Sequence, residues 1–233
     1  MHQERPGGKI VVVDLYQVLL LLHLLCFVYW LGGDLGVYYS SGILIKPGLT
    51  KEARTYVRKV MHWLDQFPRV CMPLVIALGF SMGSMRWFDL NSMWLWIIWA
   101  VALVWIYIVL TLFLNTGGPE KTAWIRRVDL PMRWVIAIAI TVIGIMSLMG
   151  TGVTQDNWLA TKMLIWAGTV FCGIASRYTM KPFGPAFGRV MNQGETPEDL
   201  AQMKRALYIT RIPIFSIWGL VAIAGAIGLW QPF

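Results

Sequence analysis

"VVVDLYQVLLLLHLLCFVYWLGGDLGV", Val11 to Val37, places one histidine in the middle of an apolar run. Trp30 follows His23 by seven residues, and then come Gly32, Gly33 and Asp34. A helix crosses the bilayer core with about 20 mostly apolar residues, and this run is long enough. No small-residue cleavage pattern follows the apolar core, so the segment reads as a retained signal-anchor. An ionisable side chain at mid-membrane is costly and usually faces a bundle interior or a site. Fold and function therefore both turn on what His23 faces.

Five further stretches qualify as spans, roughly 67–86, 92–114, 132–150, 158–177 and 207–230. The second carries Pro68, Arg69 and Pro73; proline is tolerated in membrane helices where neighbours satisfy the freed carbonyls. Composition agrees, with 57% hydrophobic and 14% charged residues, against about 25% charged in soluble domains. There is no internal repeat or low-complexity linker. The expected fold is all-α: one polytopic membrane bundle of six transmembrane helices over residues 1–233.

The net charge is +8, from 20 Lys and Arg against 12 Asp and Glu. In a soluble protein that excess suggests nucleic acid, but no recognition-helix, zinc or RNP pattern is present, and no nucleic-acid partner is expected. Sixteen basic residues instead fall between spans 1 and 2, 3 and 4, and 5 and 6, against Arg5, Lys9 and Arg86 on the opposite side. Basic loops stay cytoplasmic. The expected placement is therefore a multi-pass protein of the bacterial inner membrane with both termini periplasmic.

Those basic loops read as partly helical. Ala53, Val57, Val60, Met61 and Leu64 form one stripe opposite basic residues, as in an amphipathic helix. That helix either lies on the anionic leaflet or extends the second span. Thr196, Pro197 and the acids after them form a good helix start, so the last helix begins before it enters lipid. "NTGGPEKTAWIRR" lacks P-loop spacing. Cys26, Cys71 and Cys172 give no disulfide framework and no zinc site. Trp87, Trp158 and Trp230 fall where interface anchors belong. Trp94, Trp96, Trp99 and Trp105 read as packing and anchors, or as a cofactor platform.

Few ionisable residues lie within the spans. At 100° per residue Tyr16, His23 and Trp30 form a narrow stripe, joined by Leu19, Cys26 and Phe27. Gly32, Gly33 and Gly36 flank it, where small residues let a helix or a flat ligand approach. A neutral imidazole on an aromatic face beside glycine suits an axial haem ligand; the alternative is a histidine bonded to a neighbouring helix. His62 lies at the cytoplasmic mouth of span 2, more than about 10 Å from His23 in depth, so one iron cannot bind both. Lys162, one turn into span 5, either snorkels, paired with Asp14, or is a cation for a propionate, a substrate carboxylate or the iron. Asp34 and Arg69 are placed for a second, structural pair. His23 with Cys26, and the pairs Met82/Met85 and Met146/Met149, could hold copper(I), or the sulfur residues are apolar filler.

"HLLCFVYWLGG", from His23, resembles the first helix of the bacterial haem-dependent protoporphyrinogen oxidases (HemJ-type) and of the related copper-resistance membrane proteins (CopD-like). "VMHWLDQFPRVCMPLVIALGF" is similar to that family's second helix, and "WLATKML", from Trp158, to its Trp-Leu-x-x-Lys-Leu helix start. The resemblance covers spans 1, 2 and 5. Four spans are typical of the family, so spans 3 and 4 are additional here. It implies a b-type haem, with the functional histidine carried onto His23 as metal ligand. It carries the functional lysine onto Lys162 as the catalytic candidate. With Tyr16, Trp30 and Gly33 as walls, these residues make up the expected cofactor site. The expected function is a haem-b redox protein, in electron transfer or porphyrinogen-type oxidation. Copper handling, or a non-catalytic anchor role in a respiratory complex, is the alternative. A second copy of the chain, a respiratory partner and a quinone are the compatible partners.

Overall fold

The computed structural model describes residues 14–115 and 118–232, the side chains of 118 and 119 excepted. Residues 11–13 of the expected first span, with Arg5 and Lys9, lie outside the described residues. All regular structure among the described residues is helical: α1 (Leu15–Leu44), α2 (Lys51–Leu64), α3 (Gln66–Arg86), α4 (Ser92–Leu114), α5 (Gly118–Leu148), α6 (Asn157–Thr179), α7 (Phe183–Gln193) and α8 (Pro197–Trp230). Six helices are long and apolar enough to cross a membrane: α1, α2 with α3, α4, α5, α6 and α8.

Local chemistry sets the helix ends. The Thr50 hydroxyl accepts from the Ala53 N–H at 3.2 Å and the Thr196 hydroxyl from the Asp199 N–H at 3.1 Å, each occupying a donor that the first turn leaves unpaired. Asn91 caps α4 through the Met93 N–H at 2.9 Å. Asn115 ends that helix in the left-handed region, at φ 53°, which asparagine tolerates.

α1 packs chiefly on α3, α3 on α4, and α6 on both α5 and α8. Trp30, Met72, Trp105, Trp166, Val170 and Ile174 fill the centre. The Trp166 indole donates to the Met72 carbonyl at 3.1 Å, tying α6 to α3 beside Pro73, which lies inside that helix. The outward faces carry Leu21, Val28, Trp96, Leu103, Val135 and Ile212, all large, apolar and exposed. That is the surface of a bundle whose solvent is lipid.

A second apolar cluster lies at one end, where Leu44 meets Phe183, Phe187, Val190 and Met203. Buried Arg54 holds this end together. Its guanidinium donates to the Leu44 carbonyl, to the Lys46 carbonyl at 3.0 Å and to Glu195 Oε2 at 2.7 Å.

The helices outrun the apolar runs. α1 continues past 37 to Leu44, α5 begins before 132 and α8 before 207. The amphipathic segment extends the second span: α2 runs into α3 with only Asp65 between them. Polar ends of helices are invisible to an apolarity count. α7 also went unexpected, although Phe183, Ala186, Phe187 and Val190 recur at helical spacing and are buried.

Candidate functional site

A cavity of about 500 Å³ opens between α1, α3, α6 and α8. Tyr16, His23 and Trp30 line it from α1, because two steps of seven residues drift by only about 20° each around a helix. α3 contributes Gly79 opposite the imidazole: a Cβ there would stand 3.6 Å from His23 Cε1. The Nδ1 of His23 is buried. The backbone of Val75 on α3 is the polar group that faces the imidazole, and the ring otherwise meets the apolar chamber.

Lys162 enters the same cavity from α6. Its ammonium lies 5.7 Å from the Trp158 ring centroid and rests on Gly228 of α8, where a Cβ would stand 2.7 Å from Nζ. No ion pair joins Lys162 to Asp14, which is exposed and starts α1. Among the described residues no aspartate or glutamate lines the cavity. One cation and one imidazole thus face an apolar chamber.

Four of the five expected site residues, Tyr16, His23, Trp30 and Lys162, therefore share one wall system. Gly33 does not. A Cβ on it would stand 2.7 Å from Pro68 Cδ and 2.9 Å from the Leu64 carbonyl oxygen; its role is close packing of α1 on the α2–α3 junction. His62 is exposed on α2, with its ring 4.8 Å from that of Phe113.

Arg69 pairs with Asp65, not with Asp34; the Asp34 carboxyl faces the indoles of Trp30 and Trp218 instead. Arg133, counted above with the loop charges, is buried inside α5, 3.0 Å from Asp129. Trp158 is a buried cavity wall, not an interface anchor. The four tryptophans of α4 form no platform, since Trp94 and Trp96 are exposed while Trp105 is buried in the core.

Met163 and Trp166 also line the cavity and were not singled out by spacing; Met82, named above as a possible copper(I) ligand, lines it too. Cys26 lies off the cavity and Met85, Met146 and Met149 point outward. Among the described residues no group of three His, Cys, Asp or Glu side chains is placed to hold a bare metal ion. The chain matches no family model, no curated protein and no solved structure, so its function is read from this geometry.

Proposed function

We propose that the cavity binds a b-type haem through His23, in a membrane protein of electron transfer or porphyrinogen-type oxidation. The observation that carries this reading is the buried Nδ1 of His23 in an apolar chamber. The donor set fits: an imidazole nitrogen for iron, a glycine opposite it, aromatic walls, and an ammonium for a propionate. When bound, haem supplies one-electron chemistry at iron, and the chain supplies position and electrostatics.

Each residue then has a task. His23 would hold the iron. Tyr16 and Trp30 would wall the chamber along α1. Lys162 holds a carboxylate by a charge-assisted hydrogen bond, and it is the nearest cation for a proton transfer to a substrate. The cavity end of α1, the end of α3, the start of α6 and the end of α8 lie together. The basic loops belong to the other face, so by the loop-charge rule this end is the periplasmic one and the membrane the bacterial inner one.

Protein purified from haem-replete cells is expected to carry about one haem b per chain by its pyridine haemochrome, the ratio a single axial site gives. His23→Ala should carry little, with unchanged helix content. Haem-free wild-type protein from such cells, or full loading of the variant, contradicts the proposal.

A further inference from the structure

The cavity is walled unevenly. Its lining residues from α3 and α6 are buried or half-buried. The exposed ones all belong to α1 and α8 or follow α8 directly: Leu20 and Leu24 on one side, Ala222, Leu229, Trp230 and Gln231 on the other. Leu229 is 79% exposed and Leu24 48% while each also faces the chamber. The opening is therefore a gap between these two helices.

Packing explains why the gap sits where it does. α1 and α8 are held together toward the basic end, where Tyr38 lies 5.5 Å from Phe215 and 5.7 Å from Trp218. Phe27 closes the floor against Gly225, where a Cβ would stand 3.2 Å from its ring. Beyond that point α8 carries the small residues Ala226 and Gly228 along the cavity. Aromatic rings cluster over the aqueous end: Tyr16 lies 6.1 Å from Trp87, and Trp87 lies 5.2 Å from Trp158. The Arg86 guanidinium covers Tyr16 at 3.6 Å.

We infer that the cavity takes its occupant sideways from the bilayer, through the slot between α1 and α8, and that the occupant is a membrane-dissolved amphipathic carboxylate. Charge complementarity sets the class. Lys162 has no acidic partner among the lining residues, and a cation in an apolar chamber favours an anionic head over a neutral or cationic one. The apolar body then lies along Phe27, Val75 and Ile76, and its remainder reaches the lipid past Leu24 and Ala226. This uses the same cavity as the haem reading, and haem with its two propionates is a member of the class, but it does not need His23 to bind iron.

The test uses the full chain in phosphatidylcholine vesicles with a conjugated-tetraene C18 acid as probe, read by energy transfer from tryptophan. Its methyl ester is the uncharged control. The acid should show a saturable component about tenfold tighter than the ester, the scale of one charge-assisted hydrogen bond. Lys162→Gln should abolish that preference. Ala226→Trp, and independently Ala222→Trp at the exposed lip, should weaken acid binding by about tenfold or more, as steric filling of a pocket does. Equal binding of acid and ester by the wild type overturns the inference. So does unchanged binding in the tryptophan variant that retains its helix content. Acid binding without haem loading would defeat the haem reading alone. Haem loading with an unaffected slot variant would defeat only the lateral route.

Discussion

A Cβ on Gly228 would stand 2.7 Å from the Nζ of Lys162, so the glycine of α8 is what lets the ammonium lie flat in the cavity. The neighbour is the far end of a flexible side chain, and displacing it costs little. Gly228→Val should therefore melt close to wild type while moving the ammonium. Carboxylate or haem affinity should drop by about tenfold, the worth of a charge-assisted bond. Thermal melting and haem titration, run side by side, separate the two effects.

Asp129 is held by two guanidiniums, Arg133 at 3.0 Å and Arg177 at 2.5 Å. Asp129 and Arg133 are 1% and 5% exposed, and Arg133 also lies 5.1 Å from the Trp105 ring centroid. Removing one partner of a buried pair leaves an uncompensated charge, at a cost of about 3–5 kcal/mol. Asp129→Asn should lower the melting temperature strongly. Asp129→Leu combined with Arg133→Leu should lose less, because the only charge left without its partner is that of the half-exposed Arg177. Equal losses in the two variants would argue against the ion pair.

Gly33→Ala separates packing from ligand binding. Its Cβ would meet Pro68 and the Leu64 carbonyl, and backbone cannot step aside as a side-chain tip can. The expected loss is about 1–3 kcal/mol of stability, with haem affinity of the folded fraction unchanged. Altered affinity with intact stability would return Gly33 to the binding site.

Arg54 joins the end of α1 to the segment before α8 through three carbonyls and Glu195. Arg54→Ala should expose the chain around Glu195 to limited proteolysis without altering the cavity at His23, 31 residues away in sequence. Glu195→Gln keeps the carbonyl bonds and should be cleaved more slowly than Arg54→Ala.

Much of the bundle was legible because apolar length and the period of seven are read directly from residue order. Tyr16, His23 and Trp30 had to share a face, and Lys162 counted to a depth similar to that of Asp14, with which it makes no pair. The structure adds the partners, which belong to other helices. Gly79, Gly225 and Gly228 look like ordinary small residues until their neighbours are known. Asp34 and Arg69 stood close in depth, yet Asp65 sits one turn before Arg69 on the same helix and takes the pair. Gly33 shows the same ambiguity in reverse, since a glycine beside a histidine serves a ligand or a helix equally well. Three-dimensional neighbours, not residue type, decided between those readings.

The most direct test replaces the imidazole itself. His23→Gly should lose the Soret band that haem-supplied wild-type protein shows in detergent, and added imidazole should restore it by filling the vacated position. A wild-type protein that shows no Soret band, or a variant whose band is unchanged without imidazole, would contradict haem ligation by His23.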